Sequence, residues 1–303
     1  MPQEILINVT PREVRVALLE NGVVQEIQVE RQQRQGLAGN IYKGKVNRLL
    51  PGIQAAFIDM GLERSGFLHI SDLREYDSLV SQSGHTSIDI RSILQPGQEL
   101  LVQVYKDPLG SKGARLTTLY TIPSRYLVLT PGIFLFAVSQ KISDETERQR
   151  LASLITPDES GGYIFRTAAE GTTQSELATD REFLNALWRD ISMRARKAKP
   201  GEMVYAEIPI ILRVLRDLAG YHFEKIRVDN QHAMDEMKKF ARRYAPALAE
   251  KIELYVDKRP IFDVYSTEDQ VQKALQRKVY LKSGGHLIFD QTEAMITIDV
   301  NTG

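Results

Sequence analysis

The chain has 303 residues, 43% of them hydrophobic and 26% charged, with 39 basic and 39 acidic side chains and a formal net charge of zero. This balance excludes a disordered tail and a polybasic binder, so any nucleic-acid site must be a local patch. Cysteine is absent, which excludes disulfides, Cys-bearing zinc fingers and a thiol nucleophile. No charged-then-apolar leader or ~20-residue apolar run is present, so a cytoplasmic protein without a membrane span is expected.

Residues 5–9 and 14–18 alternate apolar and polar positions. Asn21-Gly22 then favours the positive φ angles of a type I′ turn before a return strand over 23–29. A polar connector spans 31–36. Strand patterns follow at 41–46, 55–59, 66–68, 100–104 and 115–118, close enough together to predict a small barrel of the OB type. The polar stretch 76–92 reads as a long loop, and Pro108 to Gly113 as a turn presenting Lys112.

From about residue 119 the pattern is mixed. Strands are expected at 126–129, 134–138, 162–167, 223–228, 251–255, 279–281, 286–290 and 294–300, the last-but-two and last-but-one joined at Ser283-Gly284-Gly285. Helices are expected at 144–154 with Ser143 as N-cap, at 175–199, at 209–219 with Pro209 in the first turn, at 231–244 ended by Pro246, and at 267–278.

Three groups of residues could carry chemistry. Between residues 31 and 58 lie Arg31, Arg34, Lys43, Lys45 and Arg48 with no acidic residue before Asp59, and Tyr42, Phe57 and Phe67 are interleaved, with Arg64 and Lys112 near. Cations for phosphates and rings for unpaired bases are what single-stranded RNA requires. A solvated strand face over core phenylalanines is the competing explanation. Arg166-Thr167 at a strand end offers a guanidinium fork and a hydroxyl to one phosphate, against the alternative that Arg166 pairs with a carboxylate. Asp299 and Asn301 share side-chain parity at the end of an apolar strand, where an acid and an amide can hold Mg²⁺ and its waters. Asp290 and Glu293 lie nearby. The five histidines are too widely spaced for an i,i+4 metal pair.

The order of these pieces resembles the ribonuclease E/G family of bacterial endoribonucleases. The matching stretches include Ile7-Asn8-Val9-Thr10-Pro11, Gly39-Asn40-Ile41-Tyr42-Lys43-Gly44, Leu50-Pro51-Gly52-Ile53-Gln54-Ala55-Ala56-Phe57 and Lys106-Asp107-Pro108-Leu109-Gly110-Ser111-Lys112-Gly113. Further on come Pro123-Ser124-Arg125-Tyr126-Leu127-Val128, Arg166-Thr167-Ala168-Ala169-Glu170-Gly171, Asp290-Gln291-Thr292-Glu293-Ala294-Met295 and Ile298-Asp299-Val300-Asn301-Thr302-Gly303. The resemblance is collinear over almost the whole chain.

It implies an α+β multidomain fold. Residues 1–35 and 211–278 would form an RNase H-like domain, 36–118 an inserted S1-type OB-fold, 119–210 a sensor of the RNA 5′ monophosphate, and 279–303 the start of a DNase I-like domain. By the same resemblance Phe57, Phe67 and Lys112 would grip RNA, and the basic and aromatic pattern adds Tyr42, Lys43 and Arg64 beside them. Arg166, Thr167 and Val128 bind the 5′ phosphate, and Ser124 replaces a glycine found in part of the family. Asp299 binds Mg²⁺ next to Asn301. The family's second metal aspartate and its zinc-bridging cysteines fall beyond residue 303, so zinc is not expected here. The chain is expected to be the N-terminal part of an enzyme that is a dimer or higher oligomer at full length, binding RNA but inactive alone. Its partners would be single-stranded RNA, including rRNA precursors and mRNA. A non-catalytic RNA-binding protein is the other reading of the same residues.

Overall fold

The computed structural model describes residues 3–31, 36–76, 88–110, 112–134, 136–154, 160–217, 223–244, 246–293 and 295–302. The first alternating patterns form β1 (Gln3–Val9), β2 (Glu13–Glu20) and β3 (Val23–Arg31), an antiparallel meander. Asn21 and Gly22 have φ of 52° and 76°, as a type I′ turn demands.

The barrel is built by β4 (Ile41–Leu50), β5 (Ala55–Asp59), β6 (Gly66–His69), β7 (Glu99–Lys106) and β8 (Arg115–Thr117). The strands run in the order β4-β5-β6-β8-β7, and β7 pairs back onto β4, closing five strands in a manner consistent with an OB-fold. Val46, Ile58, Leu68, Val102 and Leu116 fill its interior.

Next come β9 (Ile122–Pro123), β10 (Leu127–Pro131), β11 (Phe136–Val138), α1 (Glu145–Leu154), β12 (Gly161–Phe165), α2 (Gln174–Lys197), β13 (Met203–Tyr205) and α3 (Ile210–Asp217). Four of these strands make a sheet in the order β11-β12-β10-β9, while β13 pairs with β4. Leu177, Leu184 and Ile191, spaced by seven, turn one stripe of α2 into the core with Leu127, Leu129, Tyr163 and Phe165. Thr173 and Glu176 form a reciprocal capping box at the start of α2.

The remaining elements are β14 (Phe223–Val228), α4 (Gln231–Tyr244), α5 (Pro246–Ala249), β15 (Ile252–Leu254), α6 (Ile261–Val264), α7 (Thr267–Ala274), β16 (Lys278–Tyr280), β17 (His286–Gln291) and β18 (Ile296–Asn301). Here β14 lies parallel to β1 and β15 parallel to β14, so the first meander becomes a sheet ordered β15-β14-β1-β2-β3. Asp229 secures the junction, accepting from Asn8 Nδ2 at 2.6 Å and from the Val9 N–H at 2.8 Å. Strands β16, β17 and β18 form an antiparallel sheet. The chain divides into two compact units, residues 1–33 with 222–303, and residues 34–221.

Several local expectations are corrected. Asp144, not Ser143, caps α1, its carboxylate accepting from the Thr146 N–H at 2.9 Å. The helix expected over 231–244 has those bounds, and Pro246 then opens the separate short helix α5, where its missing N–H costs nothing. The strand expected over 162–167 stops at Phe165, and Thr167 begins a short 3-10 turn. The last expected helix ends at Ala274 rather than 278. Residues 32–35, most of the expected long loop (77–87), His85 and His222 lie outside the described residues, as does Arg34.

Candidate functional site

On the outer face of the barrel, strand register aligns side chains across neighbouring strands. Arg48 on β4 lies opposite Phe57 on β5, and Phe57 opposite Phe67 on β6. The two rings are half-buried and meet edge to face, with centroids 6.2 Å apart and planes at 70°. The Arg48 guanidinium stands 5.6 Å from the Phe57 centroid. Arg48 and Phe57 open into a cleft of about 540 Å³ that Asn47, Arg64, Ser65 and Gly113 also line.

The turn bearing Lys112 is fastened to this cleft. Arg64 Nη1 donates to the Gly110 carbonyl at 2.5 Å, and Leu109 and Lys112 pair through their backbones. A Cβ at Gly113 would fall 2.1 Å from the Ser65 carbonyl oxygen, so only glycine lets the turn approach so closely. Lys112 itself is exposed. Lys43 is instead paired with Glu99 at 3.2 Å.

Tyr42 corrects a sequence expectation. It is 4% exposed and packs in the barrel core, because it shares strand parity with Gly44 and Val46, which face inward. Its ring is therefore unavailable to a base.

A second arrangement lies where β12 ends against the 123–127 turn. The Arg166 N–H donates to the Tyr126 carbonyl at 2.8 Å, and its Nη1 donates to the Ser124 carbonyl at 2.6 Å. Arg166 Nη2 also pairs with Asp217 Oδ1 at 2.8 Å, the carboxylate partner weighed from the sequence against a phosphate. Thr167 Oγ1 lies 3.2 Å from Ser139 Oγ. Val128 is on β10, opposite Ile164 of β12 and two positions short of Arg166. The structure thus gathers Ser124, Val128, Arg166 and Thr167 at one end of one sheet.

Ser124 is 3% exposed, and its hydroxyl turns inward to donate to Asp180 Oδ2 at 2.5 Å. The same oxygen accepts from the N–H groups of Tyr126 and Leu127, each at 3.0 Å. Burial pushes the Asp180 carboxyl above its usual range despite these donors, Ser124 foremost. Burial also acts to raise Asp217, but hydrogen bonding and charge from Arg216 and then Arg166 outweigh it and leave that carboxyl below its usual range. Arg216 reaches both Asp217 at 2.9 Å and Glu207 at 2.7 Å.

Asp180 and Asp217 were missed from the sequence, although a signal existed. Asp180 falls between Leu177 and Leu184 on the apolar stripe of α2, and Asp217 continues the Ile210–Val214 stripe of α3. A carboxylate on a buried helical face requires partners.

On β18, Asp299 Oδ2 accepts from Asn301 Nδ2 at 2.9 Å, an acid and an amide side by side on one face. Asp290 is held by Arg277 at 2.6 Å and so stands apart from Asp299 in its bonding. Among the described residues no three His, Cys, Asp or Glu side chains converge. Magnesium is commonly bound through one or two carboxylates with waters and substrate phosphates, so Asp299 fits as one donor of such a set.

The model of the Ribonuclease E/G family matches residues 121–303. Ribonuclease G of Escherichia coli (strain K12) is 48% identical over 308 aligned positions, covering 100% of this chain and 63% of that protein. Ribonuclease G of Haemophilus influenzae is 48% identical over 305 positions, covering 99% and 62%. Ribonuclease E of Escherichia coli (strain K12) is 36% identical over 307 positions, covering 99% of this chain and 29% of that protein. The chain therefore spans 63% of the length of the first ribonuclease G it matches. No helix among the described residues is long and apolar enough to cross a membrane.

Proposed function

The chain belongs to the ribonuclease E/G family, and from that premise we propose that it grips single-stranded RNA and reads its 5′ end within a metal-dependent endoribonuclease that matures rRNA and degrades mRNA. The observation that carries this reading is the Phe57 ring, edge to face with Phe67 and with Arg48 over it, lining an open cleft rather than the barrel core. Unpaired bases stack on the rings while Arg48, Arg64 and Lys112 meet the backbone phosphates.

Arg166 and Thr167, backed by Ser124 and Val128, take the terminal phosphate. A 5′ monophosphate carries about −1.5 to −2 charges and three oxygens, more than an internal phosphodiester offers a guanidinium. Ser124 is compatible with this role because its hydroxyl is committed to Asp180 and leaves its carbonyl to Arg166.

Residues 1–35 with 211–278 correspond in this reading to an RNase H-like domain, 36–118 to an S1-type OB-fold, 119–210 to the 5′ sensor and 279–303 to the beginning of a DNase I-like domain. Magnesium, when bound, supplies positive charge at the scissile phosphate. Asp299 offers it a carboxylate oxygen, and Asn301 holds that carboxylate in place. With one such donor gathered, the 303 residues bind RNA and cleave it poorly.

The test has two parts. RNA titrations of this chain, with 5′-monophosphate and 5′-hydroxyl oligonucleotides, should show binding that is tighter for the former. Nuclease assays with Mg²⁺ on a polypeptide of the relatives' full length should lose cleavage in Asp299→Ala with RNA affinity unchanged. Robust cleavage by the 303-residue chain, abolished by the same substitution, would refute the division of labour.

A further inference from the structure

The row of side chains on the barrel does not stop at Phe67. Arg115 on β8 is the register partner of Phe67 and also of Lys106 on β7, so Arg48, Phe57, Phe67, Arg115 and Lys106 occupy successive positions around one end of the barrel. The register of β7 shifts between Val104 and Lys106, and Tyr105 sits at that irregularity, 59% exposed. Two cations flank its ring. Lys106 Nζ is 5.6 Å from the centroid and the Arg115 guanidinium 5.9 Å. Asp72 holds Arg115 through Nε at 3.1 Å and Nη2 at 3.0 Å, fixing the plane of the guanidinium and neutralising part of its charge.

An exposed tyrosine at a strand irregularity contributes little to the core. Its surroundings repeat the chemistry of the first ring pair, with an aromatic face, an oriented guanidinium and a solvent-facing ammonium. We propose that Tyr105, Arg115 and Lys106 form a second station for the same single-stranded RNA, Tyr105 stacking on a base, Arg115 orienting the ring and Lys106 meeting a phosphate. This rests on the barrel being an RNA surface. At ~4.8 Å between neighbouring strands, Phe57 and the Tyr105–Lys106 pair are separated by about 14 Å of barrel arc, so a strand must exceed a minimum length to occupy both.

That length requirement separates the two readings experimentally. Affinities are measured for oligoribonucleotides from about 2 nucleotides, too short to bridge the two stations, to about 16, the upper size of sites found on single OB barrels. Phe57→Ala should weaken binding at every length. Tyr105→Ala should leave the shortest oligonucleotides unaffected and weaken the longest by roughly fivefold to a hundredfold, the loss of one base–ring stack. Tyr105→Phe should restore wild-type affinity, because stacking needs the ring and not the hydroxyl. Tyr105→Ala should melt as the wild type does. If Tyr105→Ala binds all lengths normally while Phe57→Ala does not, the second station is refuted and the barrel reading stands. If neither substitution matters, the barrel reading itself fails. Loss in Tyr105→Phe as well would overturn the stacking role.

Discussion

On the barrel, Arg48 stands over the Phe57 ring and Lys112 projects from an exposed turn. At the end of β12, Arg166 is bound to the Ser124 carbonyl and to Asp217. In the proposed reading the first surface would receive RNA without surrendering those contacts. At the second, an incoming phosphate must displace or share a carboxylate. The difference suits the proposed roles, since a surface that holds any single strand needs open rings and cations. A site that selects one kind of end gains from an internal competitor, which a dianionic phosphate outbids more readily than a monoanionic phosphodiester.

The comparison breaks most visibly at Asp180. Asp180→Ala would leave the N–H groups of Tyr126 and Leu127 without their shared acceptor in a buried turn, and the Ser124 hydroxyl with only the Leu127 carbonyl. At ~1–3 kcal/mol per orphaned donor, the loss should reach about 3 kcal/mol or more, read as a lower denaturant midpoint. No comparable polar network lies among the described residues lining the barrel cleft, so Arg48→Ala should leave that midpoint nearly unchanged.

Arg166→Ala comes next. It should erase the advantage of 5′-monophosphate RNA over 5′-hydroxyl RNA and cost about 1.5–3 kcal/mol of binding to the former. Asp217→Asn sharpens the same point. Removing the competing charge should tighten binding of both phosphate classes and narrow the discrimination between them; unchanged discrimination would show that Asp217 is only a scaffold. Asp217 also has a pH signature. Its carboxyl lies below the ordinary value of 3.8 when folded, so its stabilisation is complete above that value and is lost as the pH falls through the lower one. Acid titrations of stability should therefore be flatter in Asp217→Asn.

On the barrel, Phe57→Ala should weaken single-stranded RNA binding by about 1–3 kcal/mol with a smaller loss of stability, because the ring is half-buried rather than enclosed. A loss confined to stability, in the range of about 3–5 kcal/mol for a core phenylalanine, would show that the ring is packing and not a platform.

Much of this was legible in local pattern. Period-two alternation located the barrel strands, and Asn21-Gly22 located the turn between β2 and β3 of the first meander, because both signals are carried by adjacent residues. Pairing between distant segments was not. Nothing near Ile5 announces its parallel partner Ile226, and the Val9–Asp229 bond joins residues 220 apart. For the same reason the carboxylate partner of Arg166 could be anticipated in kind but not in identity, since Asp217 arrives from a helix fifty-one positions later. Tyr42 shows the opposite failure. Its parity with Val46 already placed it inside, but a composition-level count of rings and cations ignores which face each residue occupies.

The smallest effect is the most diagnostic of charge. Lys112 is exposed on a turn held by the Arg64–Gly110 bond, so removing its ammonium should not disturb the turn. If it meets a phosphate, Lys112→Ala should weaken binding modestly and equally across sequences, and should flatten the dependence of log affinity on log salt by about 0.7, one released counterion on a single strand. Lys43 provides the control. Its charge is already met by Glu99 at 3.2 Å, so the charge-neutral double substitution Lys43→Gln with Glu99→Gln should leave the salt slope where it was. A slope that falls for the double variant and not for Lys112→Ala would move the phosphate contact from the turn to β4, and with it the path of the RNA across the barrel.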